Sequence, residues 1–130
     1  MASLCKEAHI NASPSKVWSA LRDVGALHTR LCPGFVTDTR MEGHSRIVTF
    51  GNGMTAREDI LSVDDGRMRV AWAIVGQKFH HYQGVARVEP DGDGSKFIWM
   101  TDLLPDDLAP GVEAMMTAGL DVIRKTLETS

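Results

Sequence analysis

The stretch Arg67-Met68-Arg69-Val70-Ala71-Trp72-Ala73-Ile74, residues 67–74, lies between two turn signals, Asp64-Asp65-Gly66 and Gly76-Gln77. Met68, Val70, Trp72 and Ile74 alternate with Arg67, Arg69, Ala71 and Ala73. That is the period of a strand with one face turned to a core. Turn residues close at both ends hold it to strand length and rule out a helix. The same grammar repeats on either side. Extended segments are expected at 35–41, 46–50, 54–63, 79–89 and 96–103, punctuated by Glu42-Gly43, Gly51-Asn52-Gly53 and Pro90-Asp91-Gly92-Asp93-Gly94. None of these connections can hold a crossover helix, so parallel pairing is excluded and the strands must form an antiparallel meander.

Both ends of the chain change period. Leu4, Lys6, Ala8 and Ile10 alternate with Cys5, Glu7 and His9, an opening strand. Ser13 before Pro14 reads as an N-cap followed by proline in the first helical position, and Val17, Trp18 and Leu21 continue at helical spacing to Arg22 or Asp23. Gly25 interrupts that helix; a second short helical piece is expected at 26–31, stopped by the Pro33-Gly34 turn. Beyond Pro105, Val112, Met116, Leu120, Ile123 and Leu127 form one apolar stripe, with Glu113, Asp121, Arg124, Lys125 and Glu128 mostly off it. An amphipathic helix of about 20 residues spans ~30 Å and can cover one face of the sheet. The expected fold is therefore α+β: a seven-stranded curved antiparallel sheet wrapped around a long C-terminal helix, with two short helices after the first strand, in a single domain over 1–130.

The chain has 130 residues with 14 Lys plus Arg against 17 Asp plus Glu, a net charge of -3 and no block of like charge. Such a surface offers no footprint for a nucleic acid or an anionic membrane. No apolar run approaches the ~18 residues that cross a bilayer, so membrane insertion is not expected. The N-terminal segment Met1-Ala2-Ser3-Leu4-Cys5-Lys6-Glu7 has no basic region followed by an apolar run, so the sequence points to a cytoplasmic protein. Cys5 and Cys32, lacking CxxC spacing, are expected to be free buried thiols.

Three segments carry a family resemblance that spans most of the chain. Ile10-Asn11-Ala12-Ser13-Pro14-Ser15-Lys16-Val17-Trp18 resembles the opening motif of the START/SRPBCC superfamily. Arg57-Glu58-Asp59-Ile60-Leu61-Ser62-Val63-Asp64 is similar to that family's central hairpin entry, and Glu89-Pro90-Asp91-Gly92-Asp93-Gly94-Ser95-Lys96-Phe97-Ile98-Trp99 to its final hairpin. Element order and motifs together resemble the polyketide cyclase/dehydratase-like branch. The resemblance implies the helix-grip fold and a cavity between sheet and helix for a small hydrophobic ligand, aromatic or polyketide-like. Members include aromatase/cyclases, lipid carriers, hormone receptors and chaperone activators, so the resemblance leaves open an enzyme, a carrier or sensor, and a protein-interaction module.

Strand alternation then nominates the cavity's side chains. With a three-residue Asp64-Asp65-Gly66 loop and Gly66 left-handed, Ala56, Glu58, Ile60 and Ser62 share the inner face with Trp72, and Glu58 sits opposite Trp72. A one-residue slip would instead bury Arg57 and Asp59, the costlier arrangement. On the last hairpin His80, Tyr82, Gly84, Ala86 and Val88 face inward. Pairing Ala86 with Phe97 sets Gly84 opposite Trp99, leaving room for the indole.

Glu58, His80 and Tyr82 are the catalytic candidates: Glu58 or His80 would take a proton alpha to a carbonyl while Tyr82 stabilises the enolate. For Glu58 the bland alternative is a structural salt bridge to Arg46, Arg57 or another cation. Ligand contacts are expected from Trp72, Gly84, Phe97, Trp99, Thr101, Met115 and Met116, with His28 and Arg30 at the mouth. His80 and His81 point to opposite faces and cannot chelate one ion, so no metal is expected. No glycine loop opens a helix to cradle phosphate, and no cofactor is implied. The oligomeric state is open, a homodimer included.

Overall fold

The computed structural model describes residues 1–129. The chain runs β1 (Ala2–Ile10), α1 (Pro14–Arg22), a single π turn (Leu27–Leu31), β2 (Val36–Glu42), β3 (Ser45–Phe50), β4 (Thr55–Asp64), β5 (Arg69–Ile74), β6 (His81–Asp91), β7 (Gly94–Leu104), a 3-10 turn (Asp106–Leu108) and α2 (Ala109–Thr129). The seven strands form one antiparallel sheet in the order β1-β7-β6-β5-β4-β3-β2. Among the described residues only the β1–β7 pairing joins strands distant in sequence; the rest is the expected meander. The fold is the helix-grip α+β fold, in which the curved sheet holds α2 on its concave side.

Local chemistry accounts for the elements that shape this arrangement. Ser13 caps α1, its Oγ accepting from the Lys16 backbone N–H at 3.2 Å, and Pro14 supplies the preset φ of the first turn. The helix buries Val17, Trp18, Ala20 and Leu21, and Trp18 Nε1 donates to Asp65 Oδ1 at 2.9 Å, tying α1 to the β4–β5 turn. The α2 stripe is buried as its spacing demands: Val112, Met116, Leu120, Ile123 and Leu127 all lie in the core. Gly119 lets α2 approach closely, since a Cβ there would meet the Phe35 ring at 2.9 Å.

Two registers differ from the sequence expectation. The β4–β5 turn is four residues, 65–68, closed by the Asp64–Arg69 pair, with Met68 and not Gly66 in the left-handed region at φ 50°. This odd shift alone would turn Arg57 and Asp59 inward. A bulge at Leu61, between the Ser62–Ala71 and Ile60–Trp72 pairs, takes up one residue and restores the face. Glu58 therefore does point inward, opposite Ile74 and not Trp72, while Ser62 beyond the bulge is exposed. On the last hairpin a two-residue turn at Gly92-Asp93 pairs Ala86 with Trp99 and Gly84 with Thr101. That shift is even, so the inner face is unchanged. Of the two thiols only Cys32 is buried; Cys5 lies on the exposed side of β1.

Candidate functional site

A cavity of about 640 Å³ lies between the concave face of the sheet, the π turn and α2. Its walls are mainly apolar, with Trp72, Phe97 and Trp99 from the sheet, Phe79 from the β5–β6 connection, Leu31 from the π turn and Met115 from α2. Phe79 and Tyr82 meet edge to face with centroids 4.9 Å apart, and Trp72 and Trp99 stand 6.4 Å apart. The mouth is bounded by the β3–β4 turn, the β5–β6 connection and the start of α2, bringing Asn52, Met54, Lys78 and Asp107 to its rim. Gln77, at φ 57°, donates from Nε2 to the Thr55 carbonyl at 2.6 Å and pins the β5–β6 connection against β4.

The charged centre of the cavity is an ion pair. Arg46 on β3 and Glu58 on β4 are cross-strand partners on the inner face, with side chains 5% and 9% exposed. Arg46 Nε donates to Glu58 Oε1 at 2.7 Å and Nη1 to the Val24 carbonyl at 3.2 Å. The guanidinium lies 5.3 Å from the centroid of the Trp72 ring, a cation–π contact in a desolvated setting. Removing one member would leave the other buried and uncompensated, so each residue fixes the other. Glu58 thus adopts the paired state that was its bland alternative, and it lines the cavity as well.

Beside this pair, Tyr82 is buried and lines the wall. Burial pushes its phenol well above the usual range, with the neighbouring Thr101 hydroxyl pulling the other way, so Tyr82 stays protonated at neutral pH. Thr101 is itself buried, its Oγ1 making no hydrogen bond of good geometry among the described residues, and it sits behind the wall, outside the lining. Cys32 also lines the cavity; burial pushes its thiol up to about 12, which keeps it neutral and unreactive.

Other nominated residues fall elsewhere. His80 is exposed and outside the lining: it precedes β6, where strand parity no longer holds, and its backbone N–H donates to the Leu104 carbonyl at 2.9 Å. Phe79 takes the place expected of His80. Gly84 makes room for an indole, but that of Trp72: a Cβ at Gly84 would run into the Trp72 ring, with Nε1 2.8 Å away. Gly84 therefore lies beneath the wall and does not line it. Met116 is fully buried in the core, and Met115, one residue earlier on the helix, is the lining methionine. Arg30 is exposed and turned away, bound to Asp23 at 3.0 Å and Ser19 at 2.8 Å. His28 is half-buried outside the lining, its Nδ1 without a partner among the described residues. The apolar contribution of the π turn, Leu27, Leu31 and Cys32, was not legible in the sequence, because a π turn follows no helical stripe. Among the described residues no group of three or more His, Cys, Asp or Glu could hold a metal ion, and no helix is long and apolar enough to cross a membrane.

An antiparallel sheet folded around a helix over an apolar cavity defines a class of small helix-grip domains. The chain belongs to the family described as polyketide cyclase / dehydrase and lipid transport, whose model matches residues 1–128. Among solved structures it is similar to an uncharacterized protein from Bacillus thuringiensis, at 17% identity and TM-score 0.85, covering 97% of this chain and 98% of that one. It is also similar to a START superfamily protein from Mycobacterium smegmatis, at 15% identity and TM-score 0.74, covering 98% and 94%. A third likeness is to the di-domain ARO/CYC BexL of the BE-7585A biosynthetic pathway, at 14% identity and TM-score 0.83, covering 98% of this chain and 47% of that one. At these identities the likeness is one of fold. No curated protein matches by sequence.

Proposed function

We propose that this protein binds a small hydrophobic molecule, aromatic or polyketide-like, in the cavity between sheet and α2. The observation that carries the reading is the cavity itself: about 640 Å³ of mostly apolar, aromatic-lined space with few polar groups, the form of small-molecule sites. Its volume also argues against the interaction-module reading, whose sign would be a filled interior. Native mass spectrometry followed by denaturing extraction of protein from its own host tests the proposal. A stoichiometric small molecule supports it; no bound compound, together with no thermal shift across aromatic, polyketide-like and fatty compounds, overturns it.

Within this reading the carrier or sensor role is the better supported. Glu58 is held by Arg46, Tyr82 keeps its proton, and His80 lies outside the cavity. A cyclase/dehydratase reading draws on Glu58 and Tyr82 sharing the lining. Glu58 would have to leave Arg46 to accept a proton, while Tyr82 would donate a hydrogen bond to a developing enolate. Turnover assays of Glu58→Gln and Tyr82→Phe on the compound recovered from the host decide: wild-type rates in both variants remove them from any mechanism.

A further inference from the structure

Resting on the binding reading above, we infer that the Arg46–Glu58 pair makes the cavity select uncharged ligands bearing a hydrogen-bond acceptor, such as a ketone, over carboxylates of the same shape. Among the described residues Arg46 is the only cation deep in the cavity, and its charge is already taken by Glu58 at 2.7 Å. The remaining charged lining residues, Lys78 and Asp107, sit at the rim and are of opposite sign. A carboxylate entering this space would lose its hydration and meet no net positive charge, with Glu58 beside the one guanidinium it could approach. Tyr82 and Cys32, both neutral, add no charge to offset that loss.

An uncharged acceptor meets a different balance. Arg46 spends Nε on Glu58 and Nη1 on the Val24 carbonyl, and neither bond uses Nη2. A carbonyl oxygen can take that donor without disturbing the pair, while its apolar body packs on Phe79, Phe97, Trp99 and Met115. Arg46 is thus the specificity-determining donor, and Glu58 sets the sign of what it accepts.

The test is calorimetric titration near neutral pH with three probes of one shape: 2-acetonaphthone, 2-naphthoate and 2-ethylnaphthalene. Wild type is expected to bind the ketone about tenfold tighter than the carboxylate and about fivefold tighter than the hydrocarbon. Glu58→Gln frees the guanidinium charge and is expected to move the carboxylate ahead of the ketone. The double variant Arg46→Leu/Glu58→Leu keeps the cavity apolar and is expected to erase the ketone's advantage over the hydrocarbon. Circular dichroism checks that each variant folds; if Glu58→Gln does not, the wild-type ranking and the double variant decide. Equal or tighter carboxylate binding by wild type overturns the inference, as does an unchanged ranking in folded Glu58→Gln or a ketone advantage that survives in the double variant. Those results leave the binding reading standing, and so does wild type that binds none of the three probes, which overturns the inference alone.

Discussion

Single residues set both the shape and the chemical quietness of the cavity. Gly84 is required by contact, not by backbone conformation: its missing Cβ is the space in which the Trp72 ring lies. Gly84→Ala would force that indole from its seat, where it also stacks with Arg46, and overpacking of this kind costs about 1–3 kcal/mol. The expected result is a melting temperature lower by roughly 3–15 °C, read by thermal denaturation. An unchanged melting temperature would mean that Trp72 has another place to go. The cysteines separate in the same way. Cys32, buried and held neutral at neutral pH, is expected to resist Ellman's reagent in the native protein, while exposed Cys5 reacts. One thiol should therefore titrate in the folded protein and two after denaturation; fast native reaction of both would show that the cavity wall opens readily.

Between elements, the ends of strands are tied by polar contacts that titrate. His9 on β1 bonds Asp91 at the end of β6 through Nδ1 at 2.9 Å and Asn11 through Nε2 at 3.0 Å, while the Asn11 backbone N–H donates to Glu128 on α2 at 3.0 Å. The Asp91 bond raises the His9 pKa above its ordinary 6.5, and His9 lowers that of Asp91 below 3.8. A raised cation contributes fully below its unfolded value and is lost as pH climbs through its folded one. A depressed carboxylate contributes above its unfolded value and is lost as pH falls through its folded one. The tie therefore acts between these limits, and stability should decline as pH rises from 6.5 through His9's folded pKa. Asp91→Asn is expected to flatten that decline in melting temperature and to return His9 toward 6.5 by NMR titration; a wild-type slope in the variant would assign the decline to other groups.

Strand identity, helix stripes and inner faces were legible because side-chain period depends only on local chemistry, and even shifts of register preserve a face. The Leu61 bulge was not legible: nothing local in Ile60-Leu61-Ser62 announces it, and it is recovered only from the penalty for burying Arg57 and Asp59. His80 lies away from the cavity for a related reason: it precedes the strand, in a connection with no side-chain period.

At the scale of the molecule, the curled sheet and α2 enclose more space than their own side chains fill, and that space opens at one end. The rim there is built from connections, including the β5–β6 segment held to β4 by Gln77. Connections carry less cooperative stability than the strands they join, so this end is where a ligand would enter. A molecule bound in the cavity of the folded protein has no equivalent site in the unfolded chain, so occupancy must stabilise the fold by mass action. At a hundredfold excess over Kd the gain is about 2.7 kcal/mol, on the order of ten degrees in melting temperature for a domain of this size. Gln77→Ala removes the pin at the rim, where Gln77 is also part of the lining, and leaves the aromatic walls in place. It is expected to speed both entry and release in stopped-flow tryptophan quenching while leaving Kd within about twofold, because a rim that only gates changes the two rates together. A shift in Kd well beyond twofold, carried by one rate alone, would instead make Gln77 part of the binding surface.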